Sequence, residues 1–176
     1  GIMVDSIAKN TGLRNGDIIT AVDNKPVHRF ERIVPTLILD QAKTIQVLRD
    51  GQNVSINIVE GTIGSLSSGK KNTFILPRMP TVVDDVSKES TAEKMGLKTG
   101  DSIIAINNIP VKFYDEFDSI KKGLAGMPIA VTIVRNGVMS EKTGVLPNDM
   151  VLGFRANFDI GKYFVLDKIK YNPIKA

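Results

Sequence analysis

Two stretches of this chain repeat each other without a gap. Gly12-Leu13-Arg14-Asn15-Gly16-Asp17-Ile18-Ile19-Thr20-Ala21-Val22-Asp23-Asn24-Lys25-Pro26-Val27 aligns on Gly96-Leu97-Lys98-Thr99-Gly100-Asp101-Ser102-Ile103-Ile104-Ala105-Ile106-Asn107-Asn108-Ile109-Pro110-Val111 at an offset of 84 residues. Arg49-Asp50-Gly51 and Arg135-Asn136-Gly137 recur at an offset of 86. A period this long marks a duplicated small domain, since solenoid units span only about 20–50 residues. A unit of roughly 70–85 residues can hold a single core. Trp is absent and aromatic residues make up 6% of the chain, so those cores must rest on Ile, Val and Leu.

Each copy reads as a small α+β unit. Met3-Val4-Asp5-Ser6-Ile7 and Ile18-Ile19-Thr20-Ala21-Val22 read as strands, with Asn15-Gly16-Asp17 and Asp23-Asn24-Lys25-Pro26 as turns. Phe30, Ile33, Val34, Leu37 and Ile38 have helical spacing, although Pro35 should kink that helix or mark its start. Thr44 to Leu48 and Val54 to Ile58 flank a Gly-containing hairpin turn. In the second copy, Ser90 and Glu93 have capping-box spacing before Gly96. The first copy is about five residues shorter at this point. Phe113, Phe117, Ile120 and Leu124 line one face of a longer helix. Ile129 to Val134 and the segment to Leu146 repeat the hairpin.

These readings divide the chain into a first domain at 1–60, a Gly/Ser-rich flexible linker at 61–72, a second domain at 73–147 and a tail at 148–176. Phe74-Ile75-Leu76-Pro77-Arg78 is expected to open the second domain as a strand. The first domain lacks a matching strand before Met3 and is expected to be incomplete. An open apolar edge is a liability. The strand-like segment Met150 to Arg155 is therefore expected to fold back and pair with the first domain. The abrupt apolar start at Gly1-Ile2-Met3 reads as a piece of a longer protein.

Composition excludes several classes of function. There is no cysteine and a single histidine, His28. Three or four zinc ligands cannot be gathered from that set, and a Ser-His-Asp triad needs its histidine beside a nucleophile. The net charge is +4, but the basic residues are scattered and form no arm for nucleic acid. No apolar run approaches the roughly 18 residues of a membrane span. Gly64-Ser65-Leu66-Ser67-Ser68-Gly69-Lys70-Lys71 almost spells a phosphate-binding loop. Lys71 stands where a magnesium-binding Ser or Thr is required, and no helix follows. Asp84-Asp85 would point to opposite faces of a strand, and Asp115-Glu116-Asp118 suit a solvated first helical turn. The chain itself is expected to be non-catalytic and free of metal and cofactor.

The run Val83-Asp84-Asp85-Val86, Ser90-Thr91-Ala92, Gly96-Leu97-Lys98-Thr99-Gly100-Asp101, Ile104-Ala105-Ile106-Asn107 and Arg135-Asn136-Gly137 resembles a bacterial PDZ domain. With its flanks, the tandem resembles the periplasmic region of site-2-type intramembrane zinc metalloproteases, the regulator-of-sigma-E protease family. Phe74 to Pro80 resembles the opening of that family's second PDZ domain. Leu152-Gly153-Phe154, and then Lys162-Tyr163-Phe164 running into Tyr171-Asn172-Pro173-Ile174, resemble its return to the next membrane helix.

The resemblance implies two PDZ-like domains, each a strongly bent antiparallel sheet or partial barrel with a short and a longer helix. It implies a tandem that restricts substrate access to a protease acting in regulated intramembrane proteolysis. That protease would lie at the periplasmic face of the bacterial inner membrane, with its zinc and His-Glu-x-x-His helix outside this chain. The alternative is the PDZ tandem of a periplasmic serine protease, or an adaptor for C-terminal peptides. Expected partners are a peptide or protein substrate and the parent's catalytic membrane domain. In a PDZ groove a peptide adds to a strand edge beside a helix, and a loop of free N–H groups receives its carboxylate. By resemblance, Thr73, Phe74, Ile75 and Leu76 form that loop, and Phe117, Ile120, Lys121 and Leu124 form the helical wall.

Overall fold

A computed structural model describes residues 1–68, 73–159 and 161. The chain falls into two compact units, Gly1–Arg78 and Met79–Ala176. Among the described residues no helix is long and apolar enough to cross a membrane.

The first unit runs β1 (Ile2–Val4), α1 (Ser6–Thr11), β2 (Ile18–Val22), β3 (Lys25–Pro26), a 3₁₀ turn at Phe30–Arg32, α2 (Ile33–Leu39), β4 (Thr44–Arg49), β5 (Gln52–Asn57), α3 (Thr62–Ser67) and β6 (Ile75–Pro77). An antiparallel sheet in the order β3-β2-β4-β5 covers a core that includes Leu37, Ile45 and Val47. Pro35 is the third residue of α2. The missing N–H costs nothing in the first turn, so α2 starts just ahead of the proline. The second unit runs β7 (Val83–Val86), α4 (Thr91–Lys94), β8 (Ser102–Ile106), β9 (Ile109–Pro110), α5 (Tyr114–Lys121), β10 (Pro128–Arg135), β11 (Val138–Val145) and β12 (Phe154–Ala156). Its sheet order is β11-β10-β8-β9, over Phe117, Ile106 and Ile133. Asp50-Gly51 and Asn136-Gly137 turn the two long hairpins with both residues at positive φ, as tight hairpin turns require.

The repeated Gly-Leu-x-x-Gly-Asp and Arg-x-Gly signatures meet in space. Arg49 Nε and Nη2 each donate to Asp17 at 2.8 Å, and Nη2 also donates to Gly12 O. Arg135 repeats this on Asp101, at 2.6 and 2.8 Å, and on Gly96 O. Arg14 N–H and Lys98 N–H donate to the same two carboxylates. The signature is therefore an ion pair between a buried aspartate and a part-exposed arginine that locks a turn to the hairpin. Both aspartates are almost wholly buried, where an unpaired charge would be costly. Burial alone would raise the Asp101 pKa; Arg135 and Lys98 N–H override it and hold the carboxyl below its usual range.

Three expectations about the flanks are corrected. First, β6 pairs antiparallel with β1, Ile2 opposite Pro77 and Val4 opposite Ile75, so this strand belongs to the first unit. Asp5 N–H donating to Phe74 O and Arg78 N–H donating to Gly1 O, each at 2.9 Å, extend the ladder at both ends. The cause is apolar burial: Phe74 and Ile75 fill the first core beside Ile2 and Leu13. The strand missing before Met3 is thus supplied from downstream.

Second, β12 pairs with β7, Phe154 opposite Val86 and Ala156 opposite Val83, inside the second unit. Leu152 is buried in that unit's core, and Phe154 packs on it. The tail strand does not return to the first unit.

Third, part of the 61–72 segment is helical. Ile63 and Leu66 lie one turn apart and pack on the first core, and Thr62 Oγ1 sits 3.4 Å from Thr11 Oγ1. The remainder, Gly69 to Asn72, lies outside the described residues, as does Lys162 to Ala176.

Short caps also differ from expectation. Asp5 caps α1, a helix the shorter first copy did not advertise, and Gly12 at φ 100° ends it. Ser90 accepts from Glu93 N–H, but the Glu93 carboxylate accepts from Glu89 N–H, so the reciprocal capping box is not closed.

Candidate peptide-binding groove

Strand β12 and helix α5 line the candidate groove. Among the described residues β12 pairs only with β7, which leaves its other edge open. An open edge offers a row of backbone donors and acceptors to an incoming strand. Helix α5 starts where the Glu116 carboxylate accepts Lys112 N–H at 2.8 Å and Phe113 N–H at 3.2 Å, with Asp115 adding charge to the first turn. Two aromatic contacts tie the helix to β12 and to the residues just after it. The Phe117 and Phe154 rings lie 6.0 Å apart, and Tyr114 meets Phe158 nearly edge-on at 5.1 Å. Lys121 Nζ sits 3.2 Å from Asp118 and 5.8 Å above the Phe117 ring. Burial would raise the Asp118 pKa, but Lys122 and Lys121 outweigh it and hold the carboxyl low. Burial and then the Asp118 charge push the Tyr114 phenol up.

The loop entering β12 is Leu152-Gly153. Its carbonyls are used: Ala92 N–H donates to Leu152 O at 2.7 Å, and Ser87 N–H donates to Gly153 O at 2.8 Å. Among the described residues neither the Leu152 nor the Gly153 N–H donates to anything. Gly153 has φ 86°, and a Cβ there would lie 2.3 Å from Ser90 Cβ. Only glycine fits, because the conformation and the close approach both exclude a side chain.

The eight residues expected to form one site divide between the two units. Phe74, Ile75 and Leu76 enter or form β6 and, with Thr73, lie in the first unit; Phe74 and Ile75 are buried in its core. Phe117, Ile120, Lys121 and Leu124 belong to the second unit. Phe117 is core, whereas Ile120 and Leu124 are half-buried against it. In the second unit Leu152, Gly153 and Phe154 lead into the strand that stands beside α5, with Tyr114 and Phe158 in ring contact next to it. The Leu-Gly-Phe triplet was the available signal, because a glycine between apolar residues marks close backbone approach.

Residues 82–135 match the PDZ domain family. The periplasmic serine endoprotease DegP of Salmonella typhimurium is 30% identical over 132 residues, covering 68% of this chain and 28% of that protein. A protein of Neisseria meningitidis serogroup A named "Putative zinc metalloprotease" is 28% identical over 141 residues, covering 76% of this chain and 32% of that protein. One of Borreliella burgdorferi with the same description is 31% identical over 135 residues, covering 76% and 29%. The chain thus spans about three-tenths of the length of these relatives. Matched sequence, antiparallel sheets and the strand–helix groove agree: the second unit is a PDZ domain, similar to those of DegP-type serine proteases and of proteins named as zinc metalloproteases.

Proposed function

We propose that this chain is the non-catalytic recognition and gating region of a larger membrane-embedded zinc metalloprotease at the periplasmic face of a bacterial inner membrane. Peptide ends are taken by the second unit and used to admit or refuse substrates. The observation that carries the reading is the Leu152-Gly153 loop, whose N–H groups have no partner among the described residues and which leads directly into β12, whose second edge is unpaired among those residues. An extended peptide adding to that edge gains backbone hydrogen bonds, and its terminal carboxylate gains the loop. The two metalloprotease-named relatives and the flanking resemblance support the type of parent. Zinc of that parent is held outside this chain. His28 stands among Lys25, Arg29 and Arg32, and no cysteine is present to help it.

Two peptides that differ only at the C-terminus test the reading. The free acid should bind at least about tenfold more tightly than the amide, the equivalent of about 1.4 kcal/mol lost with a charge-assisted contact. Equal affinity by calorimetry would contradict a carboxylate-receiving loop. Gly153→Ala should weaken the free acid by a similar factor, because the added methyl meets Ser90 and the positive φ is lost. Unaltered binding by that variant would place the ligand elsewhere.

A further inference from the structure

The repeat extends to a block that the amino-acid identities hide. Phe74-Ile75-Leu76-Pro77-Arg78 superposes in role on Gly153-Phe154-Arg155-Ala156-Asn157. Phe74 and Gly153 both have positive φ, 51° and 86°. Both carbonyls accept from the residue that follows the paired strand, Asp5 in one unit and Ser87 in the other. Arg78 N–H and Asn157 N–H then donate to Gly1 O and Val82 O at the far end of each ladder. Each unit therefore has its own loop leading into its own completing strand.

The two loops differ in one respect. In the first unit Asp5 Oδ2 accepts the Phe74 N–H at 2.9 Å, while Oδ1 accepts Ala8 N–H at 2.9 Å as the cap of α1. One carboxylate holds both the helix and the loop. In the second unit these jobs are split. Ser87 stands opposite Gly153, and the cap of α4 is Ser90, three residues later. The extra residues of the second copy move the capping side chain along the chain. Among the described residues no side chain accepts from Gly153 N–H.

Resting on the carboxylate-receiving reading of the second unit, we infer that Asp5 is a built-in occupant of the first unit's loop and closes it to terminal carboxylates. The chain thus carries one receptive loop and one that is filled by its own anion. Two effects act together. The Phe74 N–H already has a charged acceptor, and a second carboxylate brought to the same loop would meet the negative charge of Asp5. Asp5 is in this sense a specificity-determining residue. It decides which unit of the pair answers to a free chain end.

The test uses the whole chain, a free-acid peptide, calorimetry for stoichiometry and amide spectra to locate each site. Asp5→Ser keeps an N-cap for α1 but is too short to serve Phe74 as well. Asp5→Asn is the companion variant. It keeps the cap and the side-chain size while removing the charge. Wild type should bind about one peptide, and either Asp5 variant about two, with the new shifts on Thr73 to Leu76. The reciprocal change, Ser87→Asp, should weaken the second unit's site by about tenfold or more. Two sites in wild type would overturn the inference and leave the proposed function standing. One site in both Asp5 variants, with α1 intact by its amide signals, would also overturn it. No site in wild type but one in Asp5→Ser would sustain it while sinking the reading of the second unit. No binding by any form would end both.

Discussion

Replacing Phe74 with alanine will cost the first unit about 3–5 kcal/mol, the usual loss for emptying a buried phenylalanine site. The second unit will keep its stability. Phe74 is 1% exposed and belongs to the same cluster as Leu13, Leu37 and Ile45. Its positive φ of 51° is unfavourable for a bulky residue, so the side chain is retained for its burial despite the backbone cost. Hydrogen exchange resolves the two units in one sample. Protection should collapse over 2–57 and persist over 83–146. Loss confined to the second unit would mean that residues 73–77 belong there after all. Ile75→Glu should behave in the same way: Ile75 is buried opposite Val4, and a carboxylate there disrupts a core rather than a ligand loop.

Asp101→Ala will cost the second unit about 1–3 kcal/mol, because Lys98 N–H loses its charged acceptor and Arg135, which is part-exposed, no longer ties the turn to the hairpin. The Asp101 side chain is 0% exposed and accepts two bonds from Arg135 and one from Lys98 N–H. The direction of its pKa fixes the pH dependence. The folded value lies below the unfolded one. The stabilisation is therefore complete above the unfolded carboxyl pKa of about 3.9 and fades as pH falls through the folded value. Denaturant melts of wild type should show the second unit weakening on acidification below about pH 4. Asp101→Asn should start weaker and lose part of that dependence. Parallel pH profiles for the two proteins would show that another group carries the effect.

What the sequence disclosed follows from where the repeat kept its residues. Gly12 to Val27 and Gly96 to Val111 match because a buried aspartate, an arginine on the hairpin and turn residues at positive φ admit few substitutes. The sheet core and the hairpins were legible for that reason. The completing strands were not. Phe74 to Arg78 and Gly153 to Asn157 share no residue at corresponding positions, because the contacts that define them are backbone bonds to β1 and β7. Any apolar segment can make those bonds, so adjacency in sequence assigned Phe74 to Arg78 to the second copy, and the open edge this left in the first copy drew the tail strand there. Helix α5 was legible from the spacing of Phe117, Ile120 and Leu124, and Phe117 lies in the core. Thr73 to Leu76, read as opening the second copy, lie in the first unit. The helix over Thr62–Ser67 was hidden by its Gly and Ser content, which reads as linker, and the burial of Ile63 and Leu66 outweighs that preference.

The central claim is that each unit is completed by the strand that follows its hairpin, which makes Leu152 to Ala156 and α5 the receptive site. Titration of the chain with a free-acid peptide, followed through backbone amide shifts, tests it most directly. The account predicts that the largest shifts fall on Leu152, Gly153 and Phe154 and along Tyr114 to Lys121, with Thr73 to Leu76 unmoved. Shifts centred on Thr73 to Leu76, with Leu152 to Phe154 unmoved, would contradict it.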